Sequence, residues 1–265
     1  MAERLAGKVA LVVGAGSVGE GWGNGKATSV LFAREGAKIF AVDIDLKAAE
    51  TTVALIEGEG GTAVTHAADA TSLPEIEGVV EACLGAFGRI DILQNNVGGS
   101  FPGGPVEMHE DDWHAQLRFN LDAAFLACKC VLPVMEEQAS GAIVNVSSVA
   151  GLRYLNRPMV AYQTAKAGLI QFTRSVAMQY AAKGIRANTV VPGLMHTPLV
   201  SQRIADQYGG GDIAATIAKR DAMCPTGKMG DAWDVAYASL FLASDESRYV
   251  TATEIIVDGG LVARC

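Results

Sequence analysis

Tyr162 and Lys166 stand four residues apart in a stretch whose apolar spacing predicts a helix over Ala161–Ala182. Side chains at that spacing share one helix face. A phenol, with a pKa of about 10, is a poor base at neutral pH. An ammonium beside it favours the phenolate. The pair can therefore move a proton to or from an oxygen, as hydride transfer at a carbinol or carbonyl carbon demands. Ser147 and Ser148 close the apolar run Ala142–Val146, a predicted strand. A hydroxyl there can hydrogen-bond a substrate oxygen. Tyr-x-x-x-Lys is a common accident in isolation; a Ser-Ser pair ending the preceding strand makes the pattern specific. Tyr154 has no such partner, since Pro158 occupies the place of its lysine.

A second set of residues could hold a dinucleotide. The predicted strand Val9–Val13 runs into Gly14-Ala-Gly16-Ser17-Val-Gly19-Glu-Gly21-Trp-Gly23-Asn-Gly25. Glycines in such a turn let the backbone approach a pyrophosphate, and the next helix adds the positive end of its dipole. Gly14-x-Gly16-x-x-Gly19 satisfies the dinucleotide fingerprint, although a plain glycine-rich turn reads the same way. The second strand ends in Asp43-Ile44-Asp45. A carboxylate at Asp43 can accept hydrogen bonds from an adenosine ribose and would repel a 2′-phosphate. Its alternative is a helix cap, a role Asp45 shares. Asp69, followed by Ala70 after the third strand, could reach an adenine amine. From Gly14 to Gly25 there is no basic residue, and Glu20 adds an acid. NAD is therefore expected over NADP.

The elements that must position these groups alternate along the chain. Val9–Val13, Lys38–Val42, Thr62–His66, Ile90–Gln94, Ala142–Val146, Arg186–Val191 and Glu254–Val257 read as strands, mostly apolar on both faces as buried parallel strands are. Lys26–Glu35, Leu46–Glu59, Ser72–Phe87, Asp111–Glu137, Ala161–Ala182 and Ala232–Ser244 read as helices. This alternation predicts a single α/β domain over residues 1–265, a doubly wound parallel β-sheet with helices on both faces. Thr197–Met229 breaks the rhythm and reads as a lid over the carboxyl ends of the strands.

Half of the 265 residues are hydrophobic and 19% are charged, so a packed globule is expected rather than disorder. A formal charge of −8 argues against nucleic-acid binding, which needs a basic face. No apolar run reaches the roughly 18 residues of a membrane span, and the polar stretch Met1–Lys8 is no signal peptide. Cys83, Cys128, Cys130, Cys224 and Cys265 are odd in number and loosely spaced. They fit buried thiols in a reducing cytoplasm better than disulfides, and no metal site is expected.

Further motifs fall in order along the strands. Asn95-Asn96-Val97-Gly98 follows the fourth, Asn120 lies mid-helix, and Pro192-Gly193-Leu-Met195-His-Thr197 follows the sixth. With Ser148, Tyr162 and Lys166, the chain resembles the short-chain dehydrogenase/reductase family over nearly its whole length. The resemblance implies a Rossmann-type fold, with Tyr162 as general acid/base. It implies that Lys166 lowers the tyrosine pKa and binds the nicotinamide ribose, and that Ser148 positions the substrate oxygen. By the same resemblance Asn120 holds a water in a proton relay, although it could merely link two strands. Asn96, Val97 and Gly98 would line the adenosine-ribose side, and Pro192, Gly193, Met195 and Thr197 would hold the carboxamide.

Two features depart from the family. Val13 replaces its threonine, so a hydrogen bond bracing the Asn-Asn segment is expected to be lost. The glycine loop is longer, and its last two functional glycines are either Gly19 and Gly21 or Gly23 and Gly25. The spacing from Gly25 to Glu35-Gly36-Ala37 favours the later pair. A related enoyl-reducing branch places its tyrosine seven residues before the lysine, where Met159 stands here.

The expected activity is NAD(H)-dependent interconversion of a small-molecule secondary alcohol and ketone. An inactive nucleotide-binding regulator is the alternative; a serine hydrolase fails for want of a Gly-x-Ser-x-Gly elbow. Phe125, Leu126, Val131, Leu132, Ile170 and Phe172 make two helices apolar on more than one face. With the family resemblance they imply a homo-oligomer, a tetramer. Arg153 and Arg157 bracket the segment between Ser148 and Tyr162, and either could clamp an anionic substrate group.

Overall fold

The computed structural model describes residues 3–264. Cys265 therefore lies outside the described residues, as do Met1 and Ala2. The chain begins with β1 (Val9–Val13), α1 (Asn24–Arg34), β2 (Lys38–Asp43), α2 (Leu46–Gly58), β3 (Ala63–Ala67), α3 (Leu73–Phe87) and β4 (Ile92–Asn95). Helices α4 (Glu110–Leu117) and α5 (Ala123–Gln138) are joined by a π-helical turn, Arg118–Asp122. Next come β5 (Gly141–Val146), α6 (Val160–Tyr180), β6 (Ile185–Pro192) and the short β7 (Met195–His196). Helices α7 (Ala205–Gly209) and α8 (Ile213–Met223), the short β8 (Gly230–Asp231), α9 (Ala232–Ala243) and β9 (Glu254–Val257) complete the order.

Seven strands form one sheet in the order β3-β2-β1-β4-β5-β6-β9, every neighbouring pair parallel. The strand order reverses between β1 and β4, and a crevice opens there at the carboxyl ends. All five residues of β1 and all six of β5 are buried, because helices cover both faces. On one face Phe32, Ile56 and Leu240 pack beneath α1, α2 and α9. On the other, Val79, Val131 and Val176 pack beneath α3, α5 and α6.

The predicted strands and helices are present, with ends shifted by one or two residues. The predicted helix over Asp111–Glu137 is interrupted by the π-turn, which carries Asn120. Thr197–Met229, given no regular structure from its sequence, holds a second π-turn (Val200–Ile204) followed by α7 and α8. Asp212 caps α8, its carboxylate accepting from Ala215 N at 2.9 Å. Asp45 takes the corresponding capping role for α2, accepting from Lys47 N and Ala48 N, which leaves Asp43 for other work. Val131, Leu132 and Ile170 are buried within the chain itself and supply no surface for a partner.

Candidate active site

Tyr162 and Lys166 lie one turn apart on α6, the lysine Nζ 5.9 Å from the centre of the phenol ring. Lys166 is almost fully buried, and its ammonium donates to Val146 O at 3.1 Å and Val97 O at 3.4 Å. Burial pushes its pKa down to about 8. The two serines divide their roles. Ser147, buried, donates from Oγ to Lys166 O at 2.7 Å and pins α6 to the end of β5. The Ser148 Oγ accepts from Ala150 N at 3.2 Å, so its own hydrogen is left to be donated elsewhere. Ser148, Tyr162 and Lys166 line one cavity of about 190 Å³, together with Pro192, Gly193, Met195 and Thr197.

Asn120 lies behind this cavity rather than on its wall. Its Nδ2 donates to Gly99 O at 3.0 Å and Gln116 O at 2.9 Å, while Oδ1 accepts from Gly99 N at 3.0 Å. Both amide hydrogens are thereby used, and the side chain holds the loop after β4 as a neighbouring strand would. A buried polar chain supports the same loop from below. Asn95 Nδ2 donates to Asn145 Oδ1 at 2.8 Å, and Asn145 Nδ2 donates to Thr173 Oγ1 at 2.8 Å. These bonds tie β4 to β5 and β5 to α6 beneath the site, although Asn95 Oδ1 itself is left without a partner. Val13 has no hydroxyl to brace the Asn-Asn segment, which is held here by the continuing strand ladder and by the Asn96 side chain. Asn96 N donates to Val13 O at 2.9 Å, and Asn96 Nδ2 to Gly14 O at 3.3 Å.

A larger crevice of about 700 Å³ adjoins the cavity, the two sharing Asn24, Asn96, Gly98, Thr197 and Leu199. Gly14, Gly16, Ser17, Gly23, Asp43, Ile44, Asp69, Ala70 and Val97 line it as well. Gly25 does not: it is buried at the start of α1, where a side chain would run into the Gly14 carbonyl. Gly23 is the N-cap of α1. Gly19 and Gly21 instead face Gln202 and Pro198 of the 197–229 segment. Asp43 Oδ2 accepts from Gly16 N at 2.9 Å, and Oδ1 from Asp45 N at 3.1 Å. The Asp69 carboxylate accepts from both Thr71 N and Thr71 Oγ1 at 2.8 Å.

The crevice fits a nicotinamide dinucleotide. Among the described residues, the Ser17 hydroxyl and the Oδ1 atoms of Asn24 and Asn96 are buried on its walls without a hydrogen-bond partner, and such groups call for one. A Cβ on Gly16 would stand 2.6 Å from Ala48 Cβ, so only glycine keeps the backbone open at that turn. Asn24, Arg118 and Arg203 on these walls were missed from the sequence. Asn24 could have been found as the residue between the last two loop glycines; nothing local marks the arginines.

Fold and site together define a dinucleotide-binding α/β protein with a Tyr-Lys pair beside the nucleotide crevice. The chain belongs to the short-chain dehydrogenase/reductase family. Residues 19–262 match a family model described as enoyl-(acyl carrier protein) reductase. The chain is 40% identical over 261 residues to the 3-oxoacyl-(acyl-carrier-protein) reductase FabG of Thermotoga maritima, covering 98% of this chain and 99% of that one. It is 34% identical over 260 residues to the 2,5-dichloro-2,5-cyclohexadiene-1,4-diol dehydrogenase LinX of Sphingobium indicum, covering 98% of each. Among solved structures, a short-chain dehydrogenase/reductase from Burkholderia xenovorans superposes with a TM-score of 0.92 at 51% identity, covering 99% of both chains. Levodione reductase superposes with a TM-score of 0.92 at 31% identity, covering 98% of this chain and 99% of the other. The protein is accordingly an oxidoreductase of this family, and the family uses a nicotinamide cofactor. Among the described residues no helix is long and apolar enough to cross a membrane.

Proposed function

We propose that this protein is an NAD-preferring dehydrogenase/reductase that interconverts a small secondary alcohol and its ketone, with Tyr162 as general acid/base. The observation that carries the reading is the single cavity holding Ser148, Tyr162 and Lys166 and opening onto the nucleotide crevice. The bound dinucleotide supplies the hydride acceptor or donor. In the oxidation direction, Ser148 donates its free hydroxyl hydrogen to the substrate oxygen and holds the carbinol against Tyr162. The Tyr162 oxygen takes the hydroxyl proton as the carbon loses its hydride. Lys166, held by Val97 O and Val146 O, keeps positive charge beside the phenol and favours the phenolate. Asn120 positions the Gly98–Gly99 backbone against which Lys166 packs. Reduction runs the same proton transfer in reverse.

Met159, the buried N-cap of α6, has no hydroxyl where the enoyl-reducing branch needs one, which supports carbonyl chemistry. An inactive regulator would not need Ser148, Tyr162 and Lys166 in one cavity. Residues 197–229 act as the lid: Leu199, Ile204 and Arg220 line the cavity, and Arg203 the crevice. The free thiols of Cys83, Cys128, Cys130 and Cys224 are compatible with a reducing, cytoplasmic compartment, and the exposed apolar residues on α5 and α6 support self-association, with a tetramer as the assembly the family resemblance implies.

The test is NADH formation against a panel of secondary alcohols. Tyr162→Phe should lower turnover by roughly a hundredfold or more while NAD affinity holds, since only the transferable proton is lost. Near-normal turnover of that variant overturns the mechanism.

A further inference from the structure

Arg220 is 6% exposed on α8 and lines the catalytic cavity with Tyr162 and Ser148. Its Nε–H is turned to Met229 Sδ at 3.2 Å, a weak acceptor, so four N–H donors on the two Nη groups remain. Among the described residues no carboxylate forms an ion pair with it. The adjacent Asp221 carboxylate is committed to Met229 N at 2.8 Å. A second cation, Arg157, lines the same cavity; burial first and then the charge of Arg157 disfavour the protonated form of Arg220, against a smaller opposing pull from Cys224 and Asp221. A guanidinium buried on the wall of a cavity with no carboxylate in ion-pair contact is a costly arrangement in the absence of an anion. The protein as a whole carries a formal charge of −8, so a local concentration of positive charge runs against its general field.

Arg153, the other arginine that the sequence offered for this work, is excluded. Its Nη1 donates to Val262 O at 2.5 Å and Arg264 O at 2.6 Å and fastens the carboxyl-terminal segment.

We propose that Arg220 is a specificity-determining residue that binds a carboxylate on the substrate, so that the enzyme acts on a small hydroxy acid or keto acid. This assignment rests on the dehydrogenase reading of the same cavity. Guanidinium and carboxylate pair through parallel hydrogen bonds, which fixes both the position and the rotation of the substrate. The anion is delivered from the lid side, because Arg220 belongs to α8, while Ser148 and Tyr162 hold the reacting oxygen from the sheet side. The small volume of the cavity, about 190 Å³, suits a short acid.

The experiment uses the full-length enzyme with NAD and two matched probe series: lactate, β-hydroxybutyrate and γ-hydroxyvalerate, and the primary amides of the same three acids. Calorimetric binding and turnover are both measured for the wild type, Arg220→Met and Arg220→Lys. The wild type should bind at least one acid roughly ten- to hundredfold tighter than its amide, the range of a charged hydrogen-bonded pair. Arg220→Met should abolish that preference while binding NAD and the amide as before. Arg220→Lys should restore part of it. Removing an uncompensated buried charge should leave the fold intact, and a folding failure would show as loss of NAD and amide binding together. Equal binding of acid and amide by the wild type throughout the series overturns the proposal, as does an acid preference that survives Arg220→Met. Arg220-dependent acid binding without any turnover would uphold the anion site and overturn the dehydrogenase reading, so the two failures are distinguishable.

Discussion

The ammonium of Lys166 lies so close to the backbone of Gly98 that a Cβ built there would stand 2.6 Å from Nζ and 3.0 Å from Asn120 Oδ1. Gly98 is needed for that space. Gly98→Ala should push Lys166 off the phenol ring. The lysine is tied to two carbonyls, and the open space it lines is the catalytic cavity itself, so relieving the clash moves the ammonium out of its place beside the phenol. Misplacing a catalytic group by about an ångström costs roughly a hundredfold in rate. We expect a loss of that order in kcat, with folding retained by circular dichroism. An alanine variant of normal kcat would show that Lys166 has slack around it.

Burial also makes Lys166 a source of pH-dependent stability. Its pKa falls from 10.5 in the unfolded chain to about 8 in the folded one. Between those values the unfolded state binds more protons, so stability rises with pH across that window. Below about 8 both states are protonated and the cost of the buried charge is constant. Relative to Lys166→Met, the cofactor-free wild type should therefore gain stability as pH rises from 8 to 10.5, by at most about 3 kcal/mol. Urea unfolding of both proteins at several pH values measures it. A difference that stays flat across the window would mean that the ammonium is hydrated in solution.

The strands around this site were legible because parallel strands covered on both faces must be apolar throughout, as in Val9–Val13. Tyr162 and Lys166 were legible because one helical turn sets their spacing. Helices α7 and α8 were not. The residues of α8 that turn inward are Thr216 and Arg220, four apart and both polar, so no apolar stripe marks the helix. The same polarity hid Arg220 as a site residue. The π-turn at Arg118–Asp122 was equally invisible, since one extra residue in a helical turn leaves no mark in composition or spacing. The longer glycine loop was readable in part. Helix spacing picked out Gly25, but only the packing shows Gly19 and Gly21 against Gln202 and Pro198.

The surface of α5 and α6 carries the prediction for assembly. Phe125 is 47% exposed and stands edge-on to Phe172, with ring centres 6.3 Å apart. Met178, further along α6, is 70% exposed. We read large apolar groups left in water on two neighbouring helices as a surface for another copy of the chain. Light scattering at micromolar concentration should report a tetramer, and Phe125→Asp should give a smaller species. A monomeric wild type would refute the assignment.

Cofactor choice turns on one carboxylate. Asp43 ends β2 on the wall of the nucleotide crevice, and its two oxygens already accept from Gly16 N and Asp45 N. Those bonds hold it against the glycine turn, where an adenosine ribose would lie. A 2′-phosphate placed beside it would meet like charge in a partly desolvated setting. At an effective dielectric near 20 the penalty is about 2 kcal/mol or more, which is roughly thirtyfold in favour of NAD. Two cations line the same crevice, and an NADP enzyme would need one at this ribose. These are Arg118 and Arg203, the latter with its Nη1 3.8 Å from the Cβ position of Gly99. We expect the wild type to use NAD with at least thirtyfold higher kcat/KM than NADP, and Asp43→Ser to narrow the gap by removing repulsion without creating a phosphate site. Steady-state kinetics of both proteins with both cofactors decide it. Equal or better use of NADP by the wild type would place one of these arginines on the 2′-phosphate and turn Asp43 into a brace for the glycine loop alone.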